Sequence, residues 1–299
     1  MINTPLRHRG VFLSATTLTL VGLLAAVQSV VAAGPATVGL GTAAPFAILA
    51  GTPKVASTGA TVINGNLGVS PAAAVTGFPP GIVHGTVHTA DAVALQAQSD
   101  LTAAYTDAAG RPVTATHGTL GGLTLAAGVY NAGGVVLDLT GTLTLDGHNK
   151  PNSVWIFQAT SALVTASSSK VKLINGASSC NVFWQVTSSA TLGSGSTFVG
   201  TIMALTSITI DNGVTVHGRA LARNGEVSLI NDRITSTKCF RSGTGSSAGS
   251  GGATPPNTNT LAPTDVPGSG PSPLFLVAMF LAAFVVAIYG FQLAEKRRN

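Results

Sequence analysis

Three columns of apolar residues recur at one fixed spacing near the C-terminal half of the chain, and this period constrains the fold more than any composition does. Trp184, Ile202 and Ala220 are separated by 18 and 18 residues, and Phe198, Val216 and Ile234 repeat that interval. Leu192, Ile210 and Leu229 follow at 18 and 19. Each column draws on short alternating stretches such as "TSITID" and "VTVHG", and alternation at every second residue is the pattern of a half-buried strand. Three apolar columns at a common period describe a coil with three sides, in which each inward residue stacks on its equivalent one coil away. The expected architecture is an all-β solenoid of roughly triangular section.

The outward residues then differ from side to side. On one side Phe183, Met203 and Leu221 point away from the core, so "NVFWQV" and "GTIMAL" are apolar on both faces and need a cover. The cover is expected from one long α-helix packed alongside, "TADAVALQAQSDLTAAYTDAAGRP". Thr89 is the expected cap, Asp91 suits the positive first turn, and Gly110 with Pro112 ends the helix. Ala94, Ala97, Leu101, Tyr105 and Ala108 form its apolar stripe. A second side carries outward columns of Thr191, Thr209 and Ser228 and of Ser189, Ser207 and Glu226. By the same alternation, Thr142 and Thr144 in "TGTLTLD" and Ala162 and Val164 in "SALVTA" are expected on that side. Thr is favoured in strands for its β-branching alone, so the alternative is a merely solvated sheet face.

The ends of the 299-residue chain read as segments outside the fold. Arg7 and Arg9 precede an apolar run from Val11 to Val31 and the pair Ala32 and Ala33, the layout of a signal peptide over residues 1–33, with an uncleaved anchor as the alternative. The solenoid domain is expected over 34–240 and a Gly/Ser/Thr/Pro-rich stalk over 241–273. A transmembrane helix follows over 274–294, and then a basic cytoplasmic tail over 295–299 with Lys296, Arg297 and Arg298. The expected location is outside the cell, anchored in the membrane by the C-terminal helix.

Charge narrows the partners. Five of the 15 basic residues and one of the 10 acids lie in the signal segment or the basic tail, leaving 10 basic against 9 acidic residues elsewhere. That balance, read without a basic stripe, offers nucleic acid no electrostatic foothold. The two cysteines, Cys180 and Cys239, are expected to pair in an exported domain, two buried thiols being the alternative. Asp138, Asp146, Asp211, Glu226 and Asp232 do not stack in one column, which argues against a polysaccharide-cleaving enzyme. His84 and His88 suit one strand face but lack a third metal ligand, and Arg219 and Arg223 fit backbone carbonyls at a coil corner. "LAPTD" departs from a sortase signal at Asp265, so simple membrane anchoring is expected.

"FAILAG", "VINGNLGVSP", "AVTGFPPG", "DAVALQAQSDLTAAY", "NVFWQVTSSATLGSGSTFVGTIMALTSITI" and "VHGRALARNGEVSLIND" together resemble the DUF3494 family of ice-binding proteins, in consistent order from about Leu40 to Phe240. The resemblance implies a discontinuous right-handed β-solenoid with a helix alongside. It also implies ice binding by one flat side with loosely repeated Thr, Ser and Ala, needing no cofactor, metal or catalytic residue. The family's T-A/G-x-T/N pattern maps onto Ser189, Ala190 and Thr191, onto Ser207 and Thr209, and onto Ser228. Glu226 and Val164 depart from the small neutral residue and the Thr that the family carries there. The implied partner is an ice crystal or another extended surface, met by a monomer. The rival is a non-catalytic surface adhesin of the same fold.

Overall fold

The computed structural model describes residues 34–236 and Cys239. The signal peptide, stalk, membrane span and tail expected above lie outside the described residues. Among the described residues no helix is long and apolar enough to cross a membrane.

Strands pair in parallel throughout and build one 15-stranded and one 7-stranded sheet. Each complete coil contributes a strand to each of three ladders. The first ladder, beneath the helix, contains Gly128–Asn131, Trp155–Ala159, Val182–Val186 and the C-terminal half of Thr197–Ala204. The C-terminal half of Thr215–Ala222, then Phe46–Ala50, Asn66–Val69 and Val87–Thr89, continue it. The third ladder uses Thr142–Asp146, Lys170–Ile174 and the N-terminal halves of Thr197–Ala204 and Thr215–Ala222, followed by Arg233–Thr235, Val62–Asn64 and Ile82–His84. The two long strands turn a corner between these ladders at the paired glycines Gly200 and Gly218, and the φ of 110° at Gly200 disfavours other residues. A Cβ there would also stand 2.6 Å from the Val182 carbonyl oxygen.

The 18-residue columns are the stacked interior. Register pairs Trp184 with Ile202 and Ile202 with Ala220, Phe198 with Val216 and Val216 with Ile234, and Leu192 with Ile210 and Ile210 with Leu229. All nine side chains are buried. Large rings stack along the first column, with Phe157 4.1 Å from Trp184 between centroids and Tyr130 5.6 Å from Phe157. The indole nitrogens of Trp155 and Trp184 donate to the Leu125 and Val199 carbonyls, so neither polar handle is orphaned.

Spatial order departs from chain order. Strands from the N-terminal coils dock onto the last C-terminal coil, with Ile48 beside Ala220, Val55 beside Val227 and Ile63 beside Ile234. After Thr89 the chain runs through the helix Ala92–Ala109 and begins the coils again at Ala115–Thr116, at the other end of the first ladder.

The helix is capped by Asp91, whose Oδ1 accepts from the Ala94 amide at 2.8 Å. This corrects the expected Thr89 cap, because Thr89 is spent as a strand residue opposite Val69. Ala97, Leu101, Ala104 and Ala108 pack on Phe46, Leu49, Ile156, Phe183, Met203 and Leu221 as a second apolar layer. Tyr105 is only half-buried, and Ala104 takes the central place in the stripe. Phe183, Met203 and Leu221 are all covered, but not as one column: Phe183 stands opposite Thr201, whereas Met203 pairs with Gln185 and Leu221. The covered positions thus step across by two residues between these strands. Polar ties fix the helix in place. Gln158 Nε2 donates to the Ala108 and Arg111 carbonyls at 2.8 and 2.9 Å, Gln98 Nε2 to Ala222 O at 3.1 Å, and Asp100 accepts from the Thr42 amide at 2.7 Å.

Candidate functional site

The second side is the separate seven-stranded sheet. Its order is Leu137–Leu139, Leu163–Thr165, Ala190–Leu192, Ile208–Ile210, Val227–Ile230, Lys54–Thr58 and Ala74–Thr76. Alternation buries Leu163, Ala190, Leu192, Ile208, Ile210, Val227 and Leu229 and turns the residues between them outward. Register then gives one central outward column: Asp138, Val164, Thr191, Thr209, Ser228, Ala56 and Thr76. A flanking column lies two residues earlier on each strand, formed by Val136, Ala162, Ser189, Ser207, Glu226, Lys54 and Ala74.

Eight of the expected residues are therefore together here: Ala162, Val164, Ser189, Thr191, Ser207, Thr209, Ser228 and Glu226. Thr142 and Thr144 are not. They belong to the third ladder, opposite Lys170 and Lys172, and between them Leu143 pairs with the buried Val171. In that coil the flat-side strand is Leu137–Leu139, one strand earlier. Alternation looks the same on all three sides, so the local pattern of "TGTLTLD" did not carry the side to which it belongs.

Sequence reasoning missed Lys54, Ala56, Ala74 and Thr76, because the strands that bear them join this sheet out of chain order. Lys54 matters most. It occupies the flanking column on the coil next to Glu226, so a basic and an acidic residue hold adjacent places on the same face. Ser228 Oγ donates to Glu226 Oε1 at 3.3 Å, and Ser189 Oγ shares a 2.7 Å hydrogen bond with Thr206 Oγ1. The third side is unlike this one, with Lys170, Lys172, His217 and Arg233 exposed along it.

Several of the other polar residues singled out from the sequence hold structural contacts. His84 lies in the third ladder while His88 lies in the first, where its Nδ1 is 2.7 Å from Asp91 Oδ2 and its ring packs on Phe46, so the two do not share a strand face. Among the described residues no three His, Cys, Asp or Glu side chains converge as metal ligands. Arg219 is buried and its Nε donates to the Ala44 carbonyl at 2.8 Å, and Arg223 bonds the Thr102 hydroxyl. Asp146 accepts from the His148 amide and the Asn175 side chain, which hold its carboxyl below the usual range. Asp91 and Asp100 are lowered in the same way by the Ala94 and Thr42 amides. Asp232 differs: burial raises its carboxyl to about 7, against the amides of Ile230 and Val214 that favour its charge. Cys180 and Cys239 form a disulfide with Cα atoms 5.5 Å apart.

Among the described residues, the distinguishing feature of the arrangement is the exposed, small-residue face of the seven-stranded sheet. A family model described as ice-binding-like matches residues 48–235. An ice-binding protein of Nostoc sp. (strain HG1) is 47% identical over 206 residues, covering 67% of this chain and 74% of that protein. One of Colwellia sp is 36% identical over 216 residues, covering 65% and 82%. Among solved structures, an ice-binding protein from an Antarctic biological consortium superposes with a TM-score of 0.66 at 44% identity, covering 68% of this chain and 92% of that one. An ice-binding protein from the Antarctic ascomycete Antarctomyces psychrotrophicus gives 0.65 at 40% identity, covering 68% and 100%. With the family model spanning well over half of its length, the chain belongs to the ice-binding-like family.

Proposed function

We propose that this protein binds ice, and that it does so through the seven-stranded side. The coils are read as a discontinuous, right-handed β-solenoid acting as a rigid, non-catalytic monomer. One observation carries the assignment: register aligns Val164, Thr191 and Thr209, with Ala162, Ser189 and Ser207 beside them, on three consecutive strands that present no charge and that the helix does not cover. Neighbouring coils lie about 4.8 Å apart and alternate residues about 6.6 Å apart, so methyls and hydroxyls repeat on a coarse lattice. Methyl groups leave adjacent water to bond within its own layer, while hydroxyls anchor that layer to the protein. Such a layer can merge with a growing crystal, and adsorbed protein then pins the front.

A membrane-anchored, exported location completes the reading, supported by the apolar segments at both ends of the chain and by the disulfide. Ice-affinity partition of the purified 34–240 domain, with thermal hysteresis and recrystallisation measured alongside, tests the function. Exclusion from ice together with unhindered recrystallisation would reject it. The second reading, adhesion to a different extended surface, is favoured by Glu226 and Lys54, since both hold water in orientations unlike ice.

A further inference from the structure

We infer that ice contact is confined to three of the seven strands, and that Lys54 and Glu226 are the residues that stop it from spreading further. This rests on the ice-binding reading of the same side. Along the sheet, the first strand presents Asp138 in the central column. The next three strands present Ala162 and Val164, Ser189 and Thr191, and Ser207 and Thr209, with no charge among them. The fifth strand presents Glu226 and the sixth Lys54, in adjacent places of the flanking column. The seventh is again uncharged, with Ala74 and Thr76.

A charged group keeps its own hydration shell, and fitting it against a lattice of water without counter-ions removes that shell at high cost. Charge therefore bounds the useful block on both ends. The effect reaches Ser228, which is otherwise a good member of the central column. Its hydroxyl hydrogen is directed at Glu226 Oε1, leaving the serine tied to the carboxylate. Ala56 and Thr76 continue the same column beyond, yet they are cut off from the block by the charged row.

Opposite charges stand on adjacent coils, so removal of either residue still leaves a charge on the face. Glu226→Ala alone leaves an uncompensated ammonium one coil away, and Lys54→Ala alone leaves the carboxylate. Only removal of both joins the three-strand block to Ser228, Ala56 and Thr76. The uncharged surface then covers six strands, a roughly twofold larger contact at the spacing of parallel coils.

The test uses thermal hysteresis and recrystallisation on the parent, Thr209→Tyr, Thr76→Tyr, each single alanine variant, the double variant Lys54→Ala with Glu226→Ala, and that double variant carrying Thr76→Tyr. Circular dichroism confirms folding in each. Thr209→Tyr should abolish activity and Thr76→Tyr should leave the parent unchanged. The double variant should gain roughly twofold in proportion to contact area, the single variants should not gain, and Thr76→Tyr should now reverse the gain. Equal losses from Thr76→Tyr and Thr209→Tyr in the parent, or a double variant no better than the parent, would overturn the boundary while leaving ice binding in place. An unaffected Thr209→Tyr, or inactivity of every protein in the set, would instead bring down the ice-binding assignment of this side, and the boundary with it.

Discussion

Asp232 is the residue whose replacement has the most quantitative consequence. Its side chain is 1% exposed at the corner between the second and third sides, and it accepts from the amides of Val214 at 2.9 Å and Ile230 at 2.7 Å. Burial, with Asp211 nearby, raises its carboxyl from 3.8 to about 7 despite those hydrogen bonds. A carboxyl that holds its proton more tightly when folded contributes stability that is fully present below about pH 4 and is lost as pH rises towards 7. Three pH units at 1.36 kcal/mol each set an upper limit of about 4 kcal/mol, of which about 3 falls between pH 4.5 and pH 8. Asp232→Asn keeps the shape and cannot ionise. Urea unfolding at both pH values, followed by the fluorescence of the buried Trp155 and Trp184, should show parent stability falling by about 3 kcal/mol relative to the Asn variant. Taking the difference cancels the opposite dependence of Asp91, Asp100 and Asp146, whose lowered carboxyls stabilise above the unfolded value and lose that contribution in acid. A difference that stays flat between the two pH values would refute the reasoning.

Thr209→Tyr, at the centre of the flat side, should remove most ice activity. Thr215→Tyr on the third ladder, between Thr197 and Arg233, should preserve it, with stability in both changed by no more than about 0.5 kcal/mol. Equal losses in thermal hysteresis would mean the wrong side was chosen. The Cys180–Cys239 bridge spans 59 residues, so loop closure predicts a loss of about 4 kcal/mol when both are changed to Ser, measured by unfolding without reductant. Stoichiometric thiol labelling of the unreduced parent would end that expectation. Gln158→Ala frees the carbonyls of Ala108 and Arg111 and should cost about 1–3 kcal/mol, with faster proteolysis after Ala109. An unchanged cleavage rate would show that this amide does not hold the helix end.

What could be read in advance was whatever repeats. The three buried columns were legible because inward residues stack at a fixed interval, and the covered side was legible because Met203 and Leu221 are apolar where solvent was the alternative. Side assignment failed at Thr142 and Thr144, where alternation is correct and only the longer phase, set by Leu143 beside Val171, distinguishes one side from another. Lys54 was invisible for a different reason. Its partner strand is separated from it by most of the chain, and nothing local in "KVAST" announces that it will lie beside Val227–Ile230. Thr89 and Asp91 are both good capping residues, and the choice between them followed from the strand that claims Thr89.

The same alternation separates folding from function on the flat side. Leu163 and Thr165, Ala190 and Leu192, and Ile208 and Ile210 face inward and are buried, and the polar member is satisfied, because Thr165 Oγ1 accepts from the Gly193 amide at 3.0 Å. None of the residues between them supports the core. A sequence can therefore exchange Thr for Val164 or a small residue for Glu226 without disturbing a single stacked column, and the blocks that specify the coils persist whatever the outward face becomes. On the helix side the opposite holds, since Phe183, Met203 and Leu221 are outward residues that serve as a second core. The third side is charged along Lys170, Lys172 and Arg233. Among the described residues, the seven-stranded side is exposed, free to vary and uncharged over three consecutive strands. On the proposed reading, activity follows how many uncharged strands adjoin one another, a quantity that Lys54 and Glu226 would govern from positions far apart in the sequence.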